Sequence, residues 1–401
     1  MSELKDVLRH VGERVPMPEP ALDRLEQRRG RRRRNDRISA VLLGVIITVS
    51  LVFALASSRS PYRHEPATTP SPTPSNGMVA YTSPGERRGA PGGIYVVAEG
   101  QTPQLAVGRE GTYEACPAFS PDGTRLAFTR RAQPETSDVL IADVDGAGIV
   151  EGSERSVATA QYRPCPEWAP DGQRLLYADE EGLWTVDVDG TAPPLLIWRS
   201  DQIRDAEWSP DGSLVALTTS DAYVWIVSAR DGAVMAQSDG IPNGELSWSP
   251  SGDRVAVGQA AVDQGHPVWL INVRDGKRDE LTASGRTFDG YGAPSWSPDG
   301  TSLALLDHRG DVDHSILIVR PGDDRWYRIP LPPVEAPSGG RLEVWGLRWS
   351  PDGQRLLVAS GCSVHSIAAD GSGAAILLSS ANVDPQACLS PPGIDWQPVF
   401  P

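Results

Sequence analysis

A short segment that recurs along the chain limits what this sequence can fold into. Its pattern is an aromatic residue, then Ser-Pro-Asp-Gly or a close variant, then an apolar run. Full copies begin at Ala118, Glu167, Glu207, Ser247, Ser295 and Arg348, and a half copy, Asp-Trp-Gln-Pro, begins at Asp395. Self-similarity of this kind is the signature of a repeat architecture.

Each copy predicts a β-hairpin. Proline pre-sets the first central dihedral of the turn, Asp or Ser tolerates the second position, and glycine takes the left-handed conformation that closes the turn. The repeat prolines stand at 121, 170, 210, 250, 298, 351 and 398. Spacings of 40 to 53 residues suit a four-stranded propeller blade.

A third strand is predicted after each hairpin, and a weaker fourth strand follows it, in most repeats after Asp-Gly or a related turn. The third strands are expected at 94–97, 139–144, 183–188, 223–227, 268–273, 316–319 and 364–367. The resulting blades span about 78–108, 114–160, 163–198, 204–238, 244–283, 292–332 and 345–380.

One blade is predicted to take its strands from both ends of the domain. Residues 79–82 align with the second strand of a hairpin, at 126–129, but no Ser-Pro-Asp-Gly precedes them. The missing first strand is the half copy at 394–398. Sharing a blade closes the ring without a free sheet edge. The sequence therefore predicts an all-β, seven-bladed β-propeller closed by a split blade.

A different segment precedes the repeats. Residues 38–57 carry no charge, and twenty residues at 1.5 Å each match a hydrocarbon core of about 30 Å. Seven arginines lie just before this run, at 28, 29, 31–34 and 37, so the positive-inside rule places the N-terminus in the cytoplasm. A cleaved signal peptide ending near Ala54-Leu55-Ala56 is the alternative.

These features divide the chain into four parts. Residues 1–37 form a cytoplasmic tail with short helices and an Arg-rich end, and residues 38–57 form a transmembrane helix. Residues 58–77 are a Pro/Ser/Thr-rich linker, and residues 78–401 are the extracytoplasmic propeller. We expect a single-pass protein of the cell membrane, in which residues 1–34 offer a docking segment to a cytoplasmic protein.

The motif W-S-P-D-G followed by L-A-F resembles the TolB-type, WD-like propeller repeat over residues 78–398. That resemblance implies the propeller fold, whose members serve as binding platforms, assembly factors or lids on peptidases. The leader, V-P-M-P-E-P-A-L-D-R-L with the Arg run and the span, resembles bacterial membrane regulators linked to sigma factors. The second resemblance implies a tail that binds a transcription factor.

Charge argues against nucleic acid as a partner. The whole chain carries a formal charge of −15, and the part after residue 37 holds 26 basic and 45 acidic side chains. A field of that sign repels phosphate backbones and anionic lipid surfaces. A solvated acidic surface explains the same composition without any partner.

No catalytic motif is found. The chain lacks a G-x-S-x-G elbow, an H-E-x-x-H pair and a P-loop. His308 and His314 share a loop with Asp307, Asp311 and Asp313, which a solvated charged loop explains as well as a metal cluster. We expect no enzyme, no cofactor and no metal, and the enzymatic alternative is a propeller hydrolase or lactonase that uses the channel.

Charged residues recur where the first strands approach the central channel. They are Glu167, Asp205, Glu207, Glu245, Arg348 and Asp395. A polar channel lining explains them, and a ligand-binding mouth on the rim that carries the long loops is the sharper alternative. The aligned aromatics, from Phe119 to Trp396, are expected to pack between blades. We interpret the propeller as a binding or sensing module for an unknown protein or small ligand.

Four cysteines lie in the predicted extracytoplasmic part, at 116, 165, 362 and 388. An even count in an oxidising compartment permits disulfides. Cys116 and Cys165 each stand five residues before a repeat proline, so a bridge between adjacent blades is expected. Cys362 and Cys388 would then pin the last blade to the closing segment, although four cysteines allow three pairings.

Overall fold

The computed structural model describes residues 74–83, 92–132, 136–146, 148–161, 165–241, 244–258, 267–283, 286–287, 291–307, 315–323, 325–331, 344–360, 363–380 and 394–400. The chain divides into two units, Met1–Ser71 and Pro72–Pro401, and the described residues all belong to the second. Every regular element within these ranges is a β-strand. The predicted tail and transmembrane helix lie outside them.

The strands of the first four blades follow one another along the chain. Blade 1 takes β1 (Ser75–Ser83), β2 (Gly93–Val97) and β3 (Gln104–Val107); blade 2 takes β4 (Tyr113–Phe119), β5 (Arg125–Arg131), β6 (Thr136–Asp145), β7 (Gly148–Ile149) and β8 (Arg155–Gln161); blade 3 takes β9 (Glu167–Trp168), β10 (Arg174–Ala178), β11 (Gly182–Asp187) and β12 (Leu195–Arg199); blade 4 takes β13 (Ile203–Trp208), β14 (Leu214–Thr219), β15 (Tyr223–Ser228) and β16 (Val234–Asp239).

The remaining strands complete the ring. Blade 5 takes β17 (Glu245–Trp248), β18 (Arg254–Gly258), β19 (Trp269–Asn272) and β20 (Arg278–Glu280), followed by a small hairpin of β21 (Thr282–Ala283) and β22 (Arg286–Thr287); blade 6 takes β23 (Tyr291–Trp296), β24 (Leu303–Asp307), β25 (Ser315–Arg320) and β26 (Arg325–Pro330); blade 7 takes β27 (Val344–Trp349), β28 (Arg355–Ser360), β29 (Ser363–Ala368) and β30 (Ile376–Ser380); β31 (Ile394–Val399) returns to blade 1.

Each blade is an antiparallel sheet whose strands are in chain order, and blade 1 has the order β3-β2-β1-β31. The split blade is thereby confirmed. Tyr81 pairs with Ile394, and Val79 pairs with Trp396. The side chain of Gln397 accepts a hydrogen bond from the Met78 N–H and donates one to the Gly123 carbonyl of blade 2, at 3.1 and 2.8 Å. The C-terminal strand therefore ties blade 1 to itself and to its neighbour.

Seven apolar clusters fill the seven junctions between blades. Phe119 packs among residues of blades 1 and 2, Trp208 among those of blades 3 and 4, and Trp396 among those of blades 7 and 1. The aromatic of each repeat faces the preceding blade in the same way, as the period of two predicts. The core is therefore a ring of interfaces.

Blade 2 departs from the simple repeat. Its third strand, β6, is ten residues long and pairs with both β7 and β8. A bulge between Ala115 and Ala118 interrupts β4, and Cys116 within it has a φ of 55°, a left-handed value that is uncommon for a residue with a side chain. A bulge with Ala293 at a φ of 46° recurs in blade 6.

Candidate functional site

Each Ser-Pro-Asp-Gly turn is stabilised by hydrogen bonds that its side chains form within the turn. In blade 2 the hydroxyl of Ser120 donates to Asp122, which also accepts from the backbone and hydroxyl of Thr124. Gly123 has a φ of 71° and donates its N–H to the Ser120 carbonyl. Partial burial raises the pKa of Asp122, but these hydrogen bonds outweigh it and hold the pKa below its usual value.

The variant turn of blade 5 restores the same contacts by exchanging two positions. Its sequence is Ser-Pro-Ser-Gly-Asp, with Ser251 where the other turns have Asp. Asp253 accepts from the hydroxyls of Ser251 and Ser249, so a carboxylate still organises the turn. The sequence indicates this exchange, because Asp253 stands two positions after the place that Asp holds in the other turns.

Neighbouring turns pack against one another and form one rim of the ring, which we call the turn rim. A Cβ added to Gly172 would lie 3.8 Å from Pro121 of the preceding blade, and one added to Gly300 would lie 3.6 Å from Pro250. The Arg125 guanidinium lies 4.7 Å from the Trp168 ring centroid and donates to the Gly172 carbonyl at 2.8 Å. The turns of the turn rim are therefore packed against one another around the ring.

The opposite rim, which we call the long-loop rim, is irregular. The connections there range from two residues, at 361–362, to thirteen, at 381–393, whereas the Ser-Pro-Asp-Gly turns of the turn rim have five or six. Loops that vary on a rigid scaffold are where binding residues concentrate.

The six predicted channel residues do lie on first strands, but not at the expected end. Glu207 is the penultimate residue of β13, and Glu167 directly precedes the Trp168 at the end of β9. Arg348 and Asp395 hold the same position, next to the turn rim. Only Asp205 and Glu245 lie two residues nearer the long-loop rim. Four of the six therefore lie nearer the turn rim than the long-loop rim, because each strand enters from the long-loop rim and reaches these residues last. Their role in binding a ligand stays a prediction.

Most of the carboxylates join one blade to the next. The Trp208 N–H donates to Glu167 and the Trp248 N–H donates to Glu207, each at 3.2 Å. The Phe119 N–H donates to Asp395 at 2.7 Å.

The two acidic residues nearer the long-loop rim do the same. Asp205 accepts from the Leu246 N–H at 2.8 Å, and Glu245 accepts from the Ala293 N–H. An acidic side chain on a first strand thus reaches the backbone of the next first strand. These residues are interblade links as well as channel lining.

Arg348 supplies positive charge among these carboxylates. It is exposed to the channel although the blades surround it, and burial alone would lower its pKa. The charges of Glu207, Asp395, Asp205 and Glu167 outweigh burial and raise the pKa of Arg348, so it remains a cation. Because those carboxylates belong to blades 1, 3 and 4, the six residues share one channel.

Enclosure makes the acidic residues keep their protons to a higher pH than usual. Burial raises the pKa of Glu207 to about 8 and that of Asp395 to about 6, although Arg348 opposes both shifts. Burial, followed by repulsion from Glu207, raises the pKa of Glu167 well above its usual value. The channel is therefore less anionic at neutral pH than its composition indicates.

The expected pair of cysteines meets on the channel wall. Cys116 and Cys165 form a disulfide with their Cα atoms 5.2 Å apart, linking the first strand of blade 2 to the start of blade 3. Both hold the position of Asp205 and Glu245 in the repeat, so the covalent link and the hydrogen-bonded links occupy one level of the ring. Cys362 and Cys388 lie outside the described residues.

A cavity of about 520 Å³ opens between blades 3 and 4 at the long-loop rim, and we call it the blade 3–4 cavity. It begins at the channel residues Cys165, Glu167 and Asp205. It continues past the end of β10 to the connection between the two blades. Sequence reasoning missed this cavity, because the residues that form it are adjacent only in the folded ring.

Blade 2 contains an ion-pair network that the sequence did not predict. Arg130 bonds Glu114 at 2.9 Å and Glu154 at 2.8 Å, with 8% of the Arg130 side chain and none of the Glu114 side chain exposed. Hydrogen bonds from Arg130 lower the pKa of Glu154 despite its burial. These side chains are engaged with one another, so the network stabilises the blade.

The remaining sequence hypotheses fall elsewhere. His308 and His314 lie outside the described residues. Among the described residues no group of His, Cys, Asp or Glu has the arrangement of a metal site. The same ranges contain no helix long and apolar enough to cross a membrane, and residues 38–57 are not among them.

This chain is similar to a sequence family and to solved structures of other proteins. The family described as WD domain, G-beta repeat, matches residues 335–367. The crystal structure of TolB from Acinetobacter baumannii is similar with a TM-score of 0.48 and 14% identity, over 80% of this chain and 66% of that chain. Kuenenia stuttgartiensis hydrazine synthase has the same two values, over 68% of this chain and 80% of that chain.

Similarities at this identity and TM-score do not indicate an activity. The fold rests on the chain itself, whose repeated turns build seven blades and whose ends share one of them. The described domain is therefore a seven-bladed β-propeller, and one stretch of it matches the WD-repeat family model.

Proposed function

We propose that this chain is a membrane-anchored protein whose propeller lies outside the cytoplasm and binds a protein partner on the long-loop rim. The difference between the two rims carries the proposal. The turn rim is short, repetitive and packed against itself, whereas the long-loop rim has connections of unequal length and the blade 3–4 cavity. The second rim therefore offers a partner chemistry that is not repeated around the ring.

The channel carboxylates favour a binding module over an enzyme. Glu167, Glu207 and Asp395 each accept a backbone hydrogen bond from the next blade. A hydrolase or lactonase would need such groups free to act on a substrate. Their role in joining blades accounts for their position without a reaction.

Membrane anchoring rests on the sequence. The uncharged run at 38–57 and the arginines before it favour a single span with the N-terminus in the cytoplasm. In this arrangement, residues 1–34 are available to a cytoplasmic protein. The leader's resemblance to sigma-factor-linked regulators favours a transcription factor in that role. The proposed protein would then connect an outside partner to an inside one.

Photo-cross-linking in living cells tests the binding face. A photoreactive residue is placed in the full chain at Asp221, an exposed position on the long-loop rim of blade 4. The matched control places it at Arg230, an exposed position on the turn rim of the same blade. We expect a discrete adduct from position 221 and none from position 230. Adducts from 230 alone would contradict the proposal.

A further inference from the structure

We infer that the blade 3–4 cavity binds a basic side chain, arginine or lysine, presented by a polypeptide partner. The inference rests on the proposed function, because it names the chemistry of the partner on the long-loop rim. Three properties of the cavity carry it: its charge, its apolar wall and one tyrosine hydroxyl without a hydrogen-bond partner.

Acidic side chains dominate the charge of the cavity. Five acidic side chains and one basic side chain border it: Glu167, Asp179, Glu180, Asp201, Asp205 and Arg204. Burial raises the pKa of Glu167 and of Asp205, so the negative charge of the cavity rests on the other three carboxylates. Glu180 and Asp201 are exposed, and neither forms an ion pair with any residue that the structure describes. Both can approach an incoming cation without breaking an existing ion pair.

The wall beneath these charges is apolar. Leu176 and Leu183 are buried, and Ile203 is half buried beside them. Arginine and lysine pack their methylene stems on apolar surface while the charged head stays in polar surroundings. A bare metal ion or a compact ammonium would leave this wall uncovered.

Tyr177 distinguishes a polypeptide from a free amine. It borders the cavity, is only 3% exposed, and has no hydrogen-bond partner among the described residues. Its hydroxyl is not among the fully enclosed polar atoms, so a ligand in the cavity can reach it, and a tyrosine hydroxyl beside apolar surface normally finds an acceptor. A peptide backbone brings carbonyl oxygens next to its basic side chain, so one ligand can satisfy both Tyr177 and the carboxylates. A simple alkyl amine brings no acceptor.

Calorimetric titration of the full chain tests the inference with defined probes. The first probe is an acetylated and amidated heptapeptide, Gly-Gly-Ser-Arg-Ser-Gly-Gly, and the second replaces its central arginine with alanine. The third is agmatine, which carries the guanidinium and its stem without a peptide backbone. We expect the arginine peptide to bind more tightly than either of the others.

Variants connect that binding to the cavity. The double variant Glu180→Gln/Asp201→Asn should weaken binding of the arginine peptide about fivefold, because two exposed charges are removed. The matched control, Asp279→Asn/Glu280→Gln, removes two exposed charges from β20 and should leave binding unchanged. Tyr177→Phe keeps the ring and should weaken the peptide severalfold while leaving agmatine unaffected.

Four results would overturn the inference. They are equal binding of the alanine peptide, equal weakening by the control pair, agmatine binding as tight as the arginine peptide, and absence of peptide binding. An adduct from position 221 would still support a partner on the long-loop rim in that case, so failure of the cavity and failure of the proposed function can be told apart.

Discussion

The backbone N–H of Trp248 in blade 5 donates a 3.2 Å hydrogen bond to the carboxyl group of Glu207 in blade 4. The Trp248 indole N–H also donates to the Glu207 carbonyl, at 3.1 Å. Backbone and side chain of one acidic residue therefore hold the next blade. A change at such a position should alter the association of blades before it alters any ligand contact.

Stability should decrease as the pH rises. The folded protein holds a proton on Glu207 up to about pH 8 and on Asp395 up to about pH 6, whereas the ordinary values are 4.5 and 3.8. The stability that these groups contribute is present below their ordinary values and is lost as the pH rises through 6 and 8. We expect the melting temperature to fall between pH 5 and pH 8.5.

Glu207→Gln should reduce that dependence, because the amide still accepts from Trp248 but does not ionise. The control is Glu151→Gln, at an exposed surface turn. Melting temperatures measured by calorimetry across this range should give a shallower slope for the Glu207 variant only. Parallel slopes for the wild type and both variants would rule out the titration of Glu207 as a cause.

The disulfide should stabilise the propeller. Cys116 and Cys165 are 49 residues apart in sequence, so the bridge restricts a long loop of the unfolded chain. Replacing both with serine should cost about 2 to 4 kcal/mol of unfolding free energy, measured by denaturant titration. Non-reducing peptide mapping of the wild type provides the check. Free thiols at both positions would refute the pairing.

Removing residues 393–401 should break the ring. The deletion takes away β31, including Trp396, which is 7% exposed, and leaves β1 without its inner partner. Loss of that indole alone should cost about 3 to 5 kcal/mol, and the exposed edge of β1 favours aggregation. Deleting only residues 400–401 is the control, since Phe400 is 46% exposed. Equal melting temperatures for both deletions would contradict closure by β31.

The proposed anchor predicts a defined topology. Protease added to intact spheroplasts should digest the propeller and leave an epitope tag at Met1 intact. The positive-inside rule gives the physical reason, since the arginines lie on the N-terminal side of the span. A reporter cytoplasmic protein is the control for membrane integrity. Digestion of the Met1 tag in sealed spheroplasts would reverse the orientation.

The fold could be predicted because its determining chemistry is local. Each Ser-Pro-Asp-Gly turn holds itself through its own side chains, as Ser120 and Asp122 show, and needs no distant residue. The turn then fixes the register of the strands around it. The orphan strand at 394–398 followed from counting hairpins, and the aromatic positions followed from the period of two.

The candidate site was less accessible to sequence reasoning. Glu207 reaches Trp248 across 41 positions, and that contact depends on how far the twist of each sheet brings neighbouring first strands together. Strand direction was the second difficulty, since it sets which rim a channel residue lies near. The blade 3–4 cavity combines Tyr177 with Asp201, which no motif connects.

Hydrogen–deuterium exchange of the full chain, with and without the partner captured at position 221, tests the central claim most directly. Our account predicts slower exchange in the long-loop connections of blades 3 and 4, at 179–181, 200–202 and 220–222. The hairpin turns at 169–173 and 209–213 should be unchanged. Protection confined to those hairpin turns would show that the partner binds the turn rim, and would contradict the account.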